Sequence, residues 1–326
     1  MIGCGRIGSL VADSREALGI YSHAEAYAEC PSSELVAVCD RDPDMAKRCA
    51  QRWHVARSFD SVDELFGGVA PEIVSICTPN ETHFDIGMAA LNVVGVKAIL
   101  MEKPLALEPE QAVALVLRAE ERGVLLAVNY SRRYSAGFRM LRDKLKEGSL
   151  GRIQAVSGFY TKGVIHNGTH WFDLARFLLG EVTRVWGYGP CTVPDPAMDA
   201  RLEFTSGAVG YLHSCDGDAY GIFEMDIVGT QGRIRIVDLG HETEVFMACE
   251  SVRHPGYREL TRVPEPNPSL RDLTLHAVED LVACLDEPGR SPLCSASDAL
   301  QALEIALAVR RSAVCGSPGD VPRRKQ

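Results

Sequence analysis

The sequence predicts an α/β protein of two domains in series: a parallel sheet wound by helices over residues 1–128, then an α+β domain with a large, mostly antiparallel open sheet over residues 129–326. Three observations carry this expectation. Up to residue 128, short unbroken apolar runs alternate with helical stretches, as they do in parallel strands covered on both faces. From Arg152 the runs become alternating and aromatic-rich, with Gly-containing turns between several of them, which suits antiparallel strands. The length, 326 residues, is about twice that of an ordinary domain.

In the first half the apolar runs fall at 35–39, 73–77, 98–101 and 124–128. Helices are predicted from Pro43 to Arg52, Glu81 to Leu91 and Pro109 to Arg122. In the last, Ala112, Leu115, Val116 and Ala119 recur at helical spacing and Gly123 supplies the stop. Strands of the second half are predicted at 153–160, 182–188, 200–204, 209–213, 223–228 and 234–237. Two closing helices, Leu270 to Leu285 and Ala296 to Val314, are expected to pack near the domain junction.

Apolar residues at 46% and charged residues at 24% fit a globular protein. The net charge of −10 opposes nucleic-acid binding, with no basic cluster beyond Arg323-Arg324-Lys325. The apolar runs are far shorter than the roughly 20 residues of a membrane span, and the start shows no signal-peptide pattern. The expectation is a soluble cytoplasmic protein with neither nucleic-acid nor membrane partners. Eleven cysteines without a C-x-x-C pair read as thiols in a reducing compartment, several of them buried, rather than disulfides or a zinc site.

Gly3-Cys4-Gly5-Arg6-Ile7-Gly8 is a G-x-G-x-x-G motif. Glycines permit a tight turn, close approach of backbone N–H groups to a pyrophosphate, and close helix packing. Ordinary turns contain such glycines too, so the surroundings matter. The run at 35–39 ends in Asp40, placed to accept hydrogen bonds from a ribose diol and to repel a 2′-phosphate, which points to NAD in a Rossmann domain. Arg41 can partner a phosphate and leaves NADP open. Asp40 is also a turn-former in Asp40-Arg41-Asp42-Pro43.

The Gly8-to-Asp40 interval exceeds the roughly 20 residues of the simple fingerprint. A Ser22-x-x-Glu25 capping box predicts a fresh helix from His23 after an inserted loop around residues 11–21. Only Met1 and Ile2 precede Gly3, where a first strand ordinarily runs several residues, so an N-terminally shortened chain is expected.

Thr78-Pro79-Asn80-Glu81-Thr82-His83 and Glu102-Lys103-Pro104 follow predicted parallel strands. Loops at that end border the ligand crevice, so Thr78, Pro79, Asn80, His83, Glu102 and Lys103 are candidate cofactor contacts. Lys103 can hold or deliver a proton. Pro104 constrains the chain, with a cis bond as one option.

Taken in order, these motifs and a Gly-rich segment leading to His170-x-x-Asp173 resemble the Gfo/Idh/MocA family of glucose–fructose oxidoreductase and inositol dehydrogenase relatives. The resemblance spans essentially the whole chain, including Gly229-Thr230-Gln231-Gly232 and Ser297-Asp298-Ala299-Leu300. It implies NAD(P)-dependent chemistry on sugars or cyclitols, and a C-terminal sheet that joins subunits into a homodimer or homotetramer. Lys103 matches the family's active-site lysine, His170 its helix-borne catalytic histidine and Asp173 the carboxylate that follows.

The residues agree with this. Thr169 to Gly180 reads as an amphipathic helix with a Gly stop, which sets His170 and Asp173 on one face. An imidazole titrating near neutrality can take and return an alcohol proton. Many catalytic relatives carry Asp where this chain has His166, which puts the proton relay and substrate recognition in doubt. His166 and His170 have helical metal-ligand spacing, but no third ligand is evident, so no metal is expected. Lys162, Asn167 and Thr169 are further substrate candidates, and Arg132 or Arg133 could bind an anionic group.

The leading expectation is an NAD-dependent oxidoreductase that interconverts a secondary alcohol and a ketone on a sugar, nucleotide sugar or cyclitol. Two alternatives stand beside it: an enzyme whose tightly held cofactor serves isomerisation or elimination, and a non-catalytic NAD-binding regulator.

Overall fold

The computed structural model describes residues 1–11 and 19–322. Residues 12–18 of the expected inserted loop, and the basic Arg323-Arg324-Lys325, lie outside them. The chain forms two compact units: Met1–Ser135 with Leu270–Leu300, and Ala136–Ser269 with Gln301–Gln326.

Unit 1 begins with α1 (His23–Glu29), β1 (Val38–Cys39), α2 (Pro43–Arg52), β2 (Ser58–Phe59), α3 (Val62–Gly68) and β3 (Ile73–Ile76). It continues with α4 (His83–Asn92), β4 (Ala98–Met101), α5 (Pro109–Arg122) and β5 (Leu125–Val128). The strands are parallel, and Ile2 bridges Cys39 on one side and Ile76 on the other, so the spatial order is β2, β1, Ile2, β3, β4, β5. This is the doubly wound arrangement expected. Its centre is apolar because the strands are covered on both faces: Val38, Ile76, Ile99 and Leu100 are fully buried.

Helix boundaries follow local chemistry. Asp42 caps α2 through Oδ1, which accepts from Asp44 N–H at 2.9 Å, and Pro43 occupies the first turn. Gly123, at φ +63°, stops α5, which buries Ala112, Leu115, Val116 and Ala119 as its spacing predicts.

The predicted strand at 35–39 is shorter than expected. Only Val38 and Cys39 pair with β2, itself two residues long; on the other side the Met1 ammonium donates to the Ala37 carbonyl at 2.9 Å. Burial pushes that ammonium below its usual pKa. Beyond it, residues 34–37 and 72–75 line a groove of about 400 Å³.

Unit 2 contains α6 (Ala136–Lys146), β6 (Ile153–Thr161), α7 (Thr169–Leu179), β7 (Val182–Tyr188), β8 (Asp199–Phe204), β9 (Val209–Cys215) and β10 (Phe223–Gly229). β11 (Gly232–Val237), β12 (Glu242–Glu250) and β13 (Arg258–Val263) follow. The helix α8 (Leu273–Asp286) belongs to unit 1; α9 (Ala296–Cys315) and β14 (Gly319–Asp320) end the chain. Nine strands form one sheet in the order β13-β12-β11-β10-β6-β9-β8-β7-β14. Only the central pair, β6 with β9, is parallel, so the predicted mostly antiparallel sheet is what forms. Alternate residues of β6, Val156, Gly158 and Tyr160, are buried together with Trp171 and Phe172 of α7. Phe159 and, on β9, Tyr211 point outward.

All eleven cysteines remain thiols; Cys191, Cys249 and Cys315 are exposed, and seven are buried. Among the described residues no helix is long and apolar enough to cross a membrane.

Candidate functional site

In unit 1 the three motif glycines have different tasks. Gly3 has φ +93°, and a Cβ there would lie 2.7 Å from the Cys77 carbonyl, so angle and space both demand glycine. A Cβ on Gly8 would lie 2.1 Å from the Gly3 carbonyl oxygen. Gly5, by contrast, meets nothing within 4 Å, leaving its backbone open to an incoming group.

One helical turn carries Arg6 and Ile7, with Ser9 and Val11 N–H groups returning to Gly5 and Arg6 at 2.9 and 2.7 Å. The ladder then resumes at α1: His23 N–H donates to Ile7 O at 3.1 Å and Ala24 N–H to Gly8 O at 2.9 Å. His23 therefore holds the place of the fourth residue after Ile7 in an uninterrupted helix. The sequence between Ile7 and His23 is roughly a dozen residues longer than a continuous helix needs, and without that excess the Gly8-to-Asp40 interval falls to about 20. Ser22 caps α1 through its side chain, as the capping box predicts.

Asp40 performs the turn role and a second one. Its Oδ1 accepts from Asp42 N–H at 3.0 Å, while Oδ2 accepts from Cys4 N–H at 2.7 Å and clamps the glycine-rich turn to the end of β1. Each carboxylate oxygen has a further lone pair for a ribose hydroxyl. The open Gly5 backbone and this half-exposed carboxylate fit a pyrophosphate and a ribose diol respectively. Arg6 and Arg41 are exposed.

The loops after β3 and β4 are fastened to each other. Asn80–Thr82 forms a 3₁₀ turn in which the Thr82 hydroxyl lies 2.7 Å from Pro79 O and 2.8 Å from Thr78 Oγ1. His83 is fully buried, with ring nitrogens 2.7 Å from Pro104 O and 3.0 Å from Thr78 O. The Lys103–Pro104 bond is cis.

Glu102 Oε1 accepts from Asn129 Nδ2 at 2.7 Å and from His23 Nε2 at 3.0 Å. Burial alone would raise the Glu102 pKa, but the hydrogen bonds from His23 and Asn129 and the charge of Lys103 hold it below the usual carboxylate range. Burial pulls His23 down, yet Cys77 and Glu102 push it up, to about 10 overall. The result is an imidazolium–carboxylate pair adjoining Lys103.

Residues Ser131–Tyr134 form a 3₁₀ turn. Arg133 pairs there with Asp298 at 3.1 Å and donates to Leu293 O at 3.2 Å.

In unit 2 the segment between β6 and α7 is a π-helical turn, Val164–Gly168. Asp195 shapes it: Oδ1 accepts from Ile165 N–H at 2.7 Å and Oδ2 from His166 N–H at 2.8 Å. His166 and Lys162 are exposed, Lys162 with φ +70°. Asn167 Nδ2 donates to Thr161 O at 2.9 Å. The Thr169 hydroxyl, fully buried, donates to Ile165 O at 2.7 Å and so holds the turn. His170 is half-buried in the first turn of α7, and Asp173, 2% exposed, follows one turn later on the same face.

Sequence reasoning overlooks His23, Asn129 and Asp195. His23 had one signal, its place just after a capping serine downstream of the glycine-rich turn; Asp195 had its setting between Pro194 and Pro196.

Comparison with known proteins matches residues 1–130 to the Gfo/Idh/MocA oxidoreductase family, NAD-binding Rossmann fold, and residues 161–321 to that family's C-terminal α/β domain. The chain belongs to the Gfo/Idh/MocA family. Among its relatives, scyllo-inositol 2-dehydrogenase (NAD(+)) of Bacillus subtilis is 25% identical over 326 residues, covering 92% of each chain. Myo-inositol 2-dehydrogenase of Thermotoga maritima is 24% identical over 340 residues, covering 96% of this chain and 95% of the relative. Levoglucosan dehydrogenase, solved with NADH and levoglucosan, shares the fold with a TM-score of 0.83 at 22% identity, over 99% of this chain and 98% of that one. As a Gfo/Idh/MocA protein the chain is an oxidoreductase, and residues 1–130 are its NAD-binding Rossmann domain.

Proposed function

We propose that the protein is an NAD-dependent dehydrogenase that interconverts a secondary alcohol and a ketone on a sugar, nucleotide sugar or cyclitol. The observation that carries this reading is the Glu102-Lys103-Pro104 segment, held by His23, Asn129 and His83 and tied through His23 to the glycine-rich turn. The names of the inositol and levoglucosan relatives support the substrate class.

When bound, the nicotinamide supplies the acceptor for the carbinol hydrogen and its electron pair. Neutral Lys103 Nζ accepts the hydroxyl proton as the carbonyl forms, and the neighbouring Glu102 carboxylate stabilises the resulting ammonium. In unit 2, His170 is a second group able to hold and return a proton, and Asp173 orients its imidazole. Lys162, His166 and Asn167 recognise substrate hydroxyls, and Arg132 an anionic substituent. Thr78, Pro79, Asn80 and His83 shape the loops around the cofactor. The Asp40 charge favours NAD over NADP.

Inositols, hexoses and nucleotide sugars assayed with NAD and NADP by NADH absorbance test this reading. Turnover of at least one polyol, faster with NAD, is expected. Protein that binds NADH yet reduces neither cofactor across the panel would overturn it.

We further propose a cytoplasmic homodimer or homotetramer assembled through the outward face of the unit 2 sheet. That face presents Phe159 and Tyr211, 39% and 47% exposed, and Trp186 beneath Arg201, whose guanidinium lies 4.0 Å from the ring centroid. An aromatic patch of this kind marks association surfaces. Phe159→Asp with Tyr211→Asp is expected to convert the oligomer to a monomer in sedimentation analysis; a wild-type monomer would refute the assembly.

A further inference from the structure

His23 is fully buried, yet it is surrounded by groups that favour its charged form. Its Nε2 donates to Glu102 Oε1 at 3.0 Å, just past β4, and its Nδ1 lies 2.9 Å from Ser75 Oγ on β3. Its backbone N–H donates to Ile7 O in the glycine-rich turn. One residue thus joins the turn, β3 and the segment carrying Lys103.

We propose that His23 is a positioning residue: it fixes Glu102 as a carboxylate, sets through Glu102 the charge that Lys103 experiences, and locks both to the glycine-rich turn. The inference rests on reading Lys103 as the proton carrier. Packing alone would be served by a neutral ring against Ser75. A carboxylate whose side chain is 14% exposed, however, is costly without a counter-ion. Asn129 and His23 both donate to Glu102 Oε1, and of this pair only His23 can carry a charge.

Other titratable groups lie on the elements around the ring. Cys77 lies at the end of β3 and pushes His23 in the same direction as Glu102. On α1 itself are Glu25, Tyr27 and Glu29, with Tyr27 Oη 3.1 Å from Ser75 Oγ. The helix α8 packs on α1 and carries His276, Glu279, Asp280, Cys284 and Asp286, with Asp280 engaged by Arg290 at 3.1 Å. Asp272, just before α8, accepts from Ile20 N–H at 2.7 Å.

With His23 charged, its pair with Glu102 is neutral overall. Removing the ring's charge leaves the carboxylate uncompensated, which stabilises the Lys103 ammonium and raises its titration midpoint. Groups common to all variants cancel in the difference.

The test is competitive acetylation of Lys103 by acetic anhydride across pH, read by mass spectrometry on the full-length protein. His23→Gln keeps a donor for Glu102 without the charge and is expected to raise the Lys103 midpoint by about one pH unit. Glu102→Gln, which leaves the ring neutral, and the double variant are both expected to keep it close to wild type. A merely structural His23 would lower thermal stability and leave the midpoint in place; that result, or a double variant whose midpoint stays raised, overturns the proposal.

If His23→Gln does not fold, nitrogen NMR of His23 decides. The wild-type ring should be protonated at about pH 8 and the Glu102→Gln ring neutral; a neutral wild-type ring overturns the proposal. Labelling needs no substrate, so the test stands even if no polyol is turned over. Turnover with an unmoved Lys103 midpoint would sink the His23 proposal alone.

Discussion

Lys103→Met is expected to lower turnover by about a hundred- to ten-thousandfold while NADH binding stays within a few-fold. Methionine keeps an unbranched, flexible stem and removes the ammonium, so the segment pinned by His83 through Pro104 O and by Asn129 through Glu102 should keep its shape. The remaining rate should also lose the pH dependence set by the lysine. Stopped-flow kinetics with the preferred polyol, beside NADH fluorescence titration, separates the outcomes. An equal collapse of NADH binding and thermal stability would assign Lys103 to holding the fold.

The second large effect comes from the glycines, where the structure separates two tasks that the motif combines. Gly8→Ala is expected to destabilise the protein by about 1–3 kcal/mol and to weaken NADH binding by about tenfold or more. The added methyl would sit 2.1 Å from the Gly3 carbonyl oxygen, and backbone cannot step aside as a flexible side chain can. Gly5→Ala should leave the melting temperature almost unchanged, because nothing lies within 4 Å of the new carbon. It should still impair NADH binding by covering the open backbone. Calorimetric melting and NADH titration of both variants check the contrast. If Gly5→Ala binds NADH normally, the pyrophosphate does not approach there.

Much of this architecture is legible in the sequence because its periodicities are strong. Pro109–Arg122 and Thr169–Leu179 carry both an apolar stripe and a terminal glycine, and both form helices that stop at that glycine. The elements that escape notice lack such signals. Ser58–Phe59 is only two residues long. Ala136–Lys146 buries just Phe138 and Leu141, and Arg258–Val263 is mostly exposed and charged.

At the site, each motif announces itself locally, whereas the His23–Glu102 pair joins residues 79 positions apart. That contact depends on the order of parallel strands, which no local pattern encodes. Asp195 is hidden for the same reason: it reaches backbone N–H groups 29 and 30 positions earlier.

The helical ladder that leaves Ile7 and Gly8 is picked up by His23 and Ala24 in register. Chain length between Val11 and Ser22 is therefore uncoupled from the geometry of the ligand-facing amides. What the register does demand is α1 itself: a substitution that unseats this helix should slacken those amides and weaken dinucleotide affinity without touching the turn.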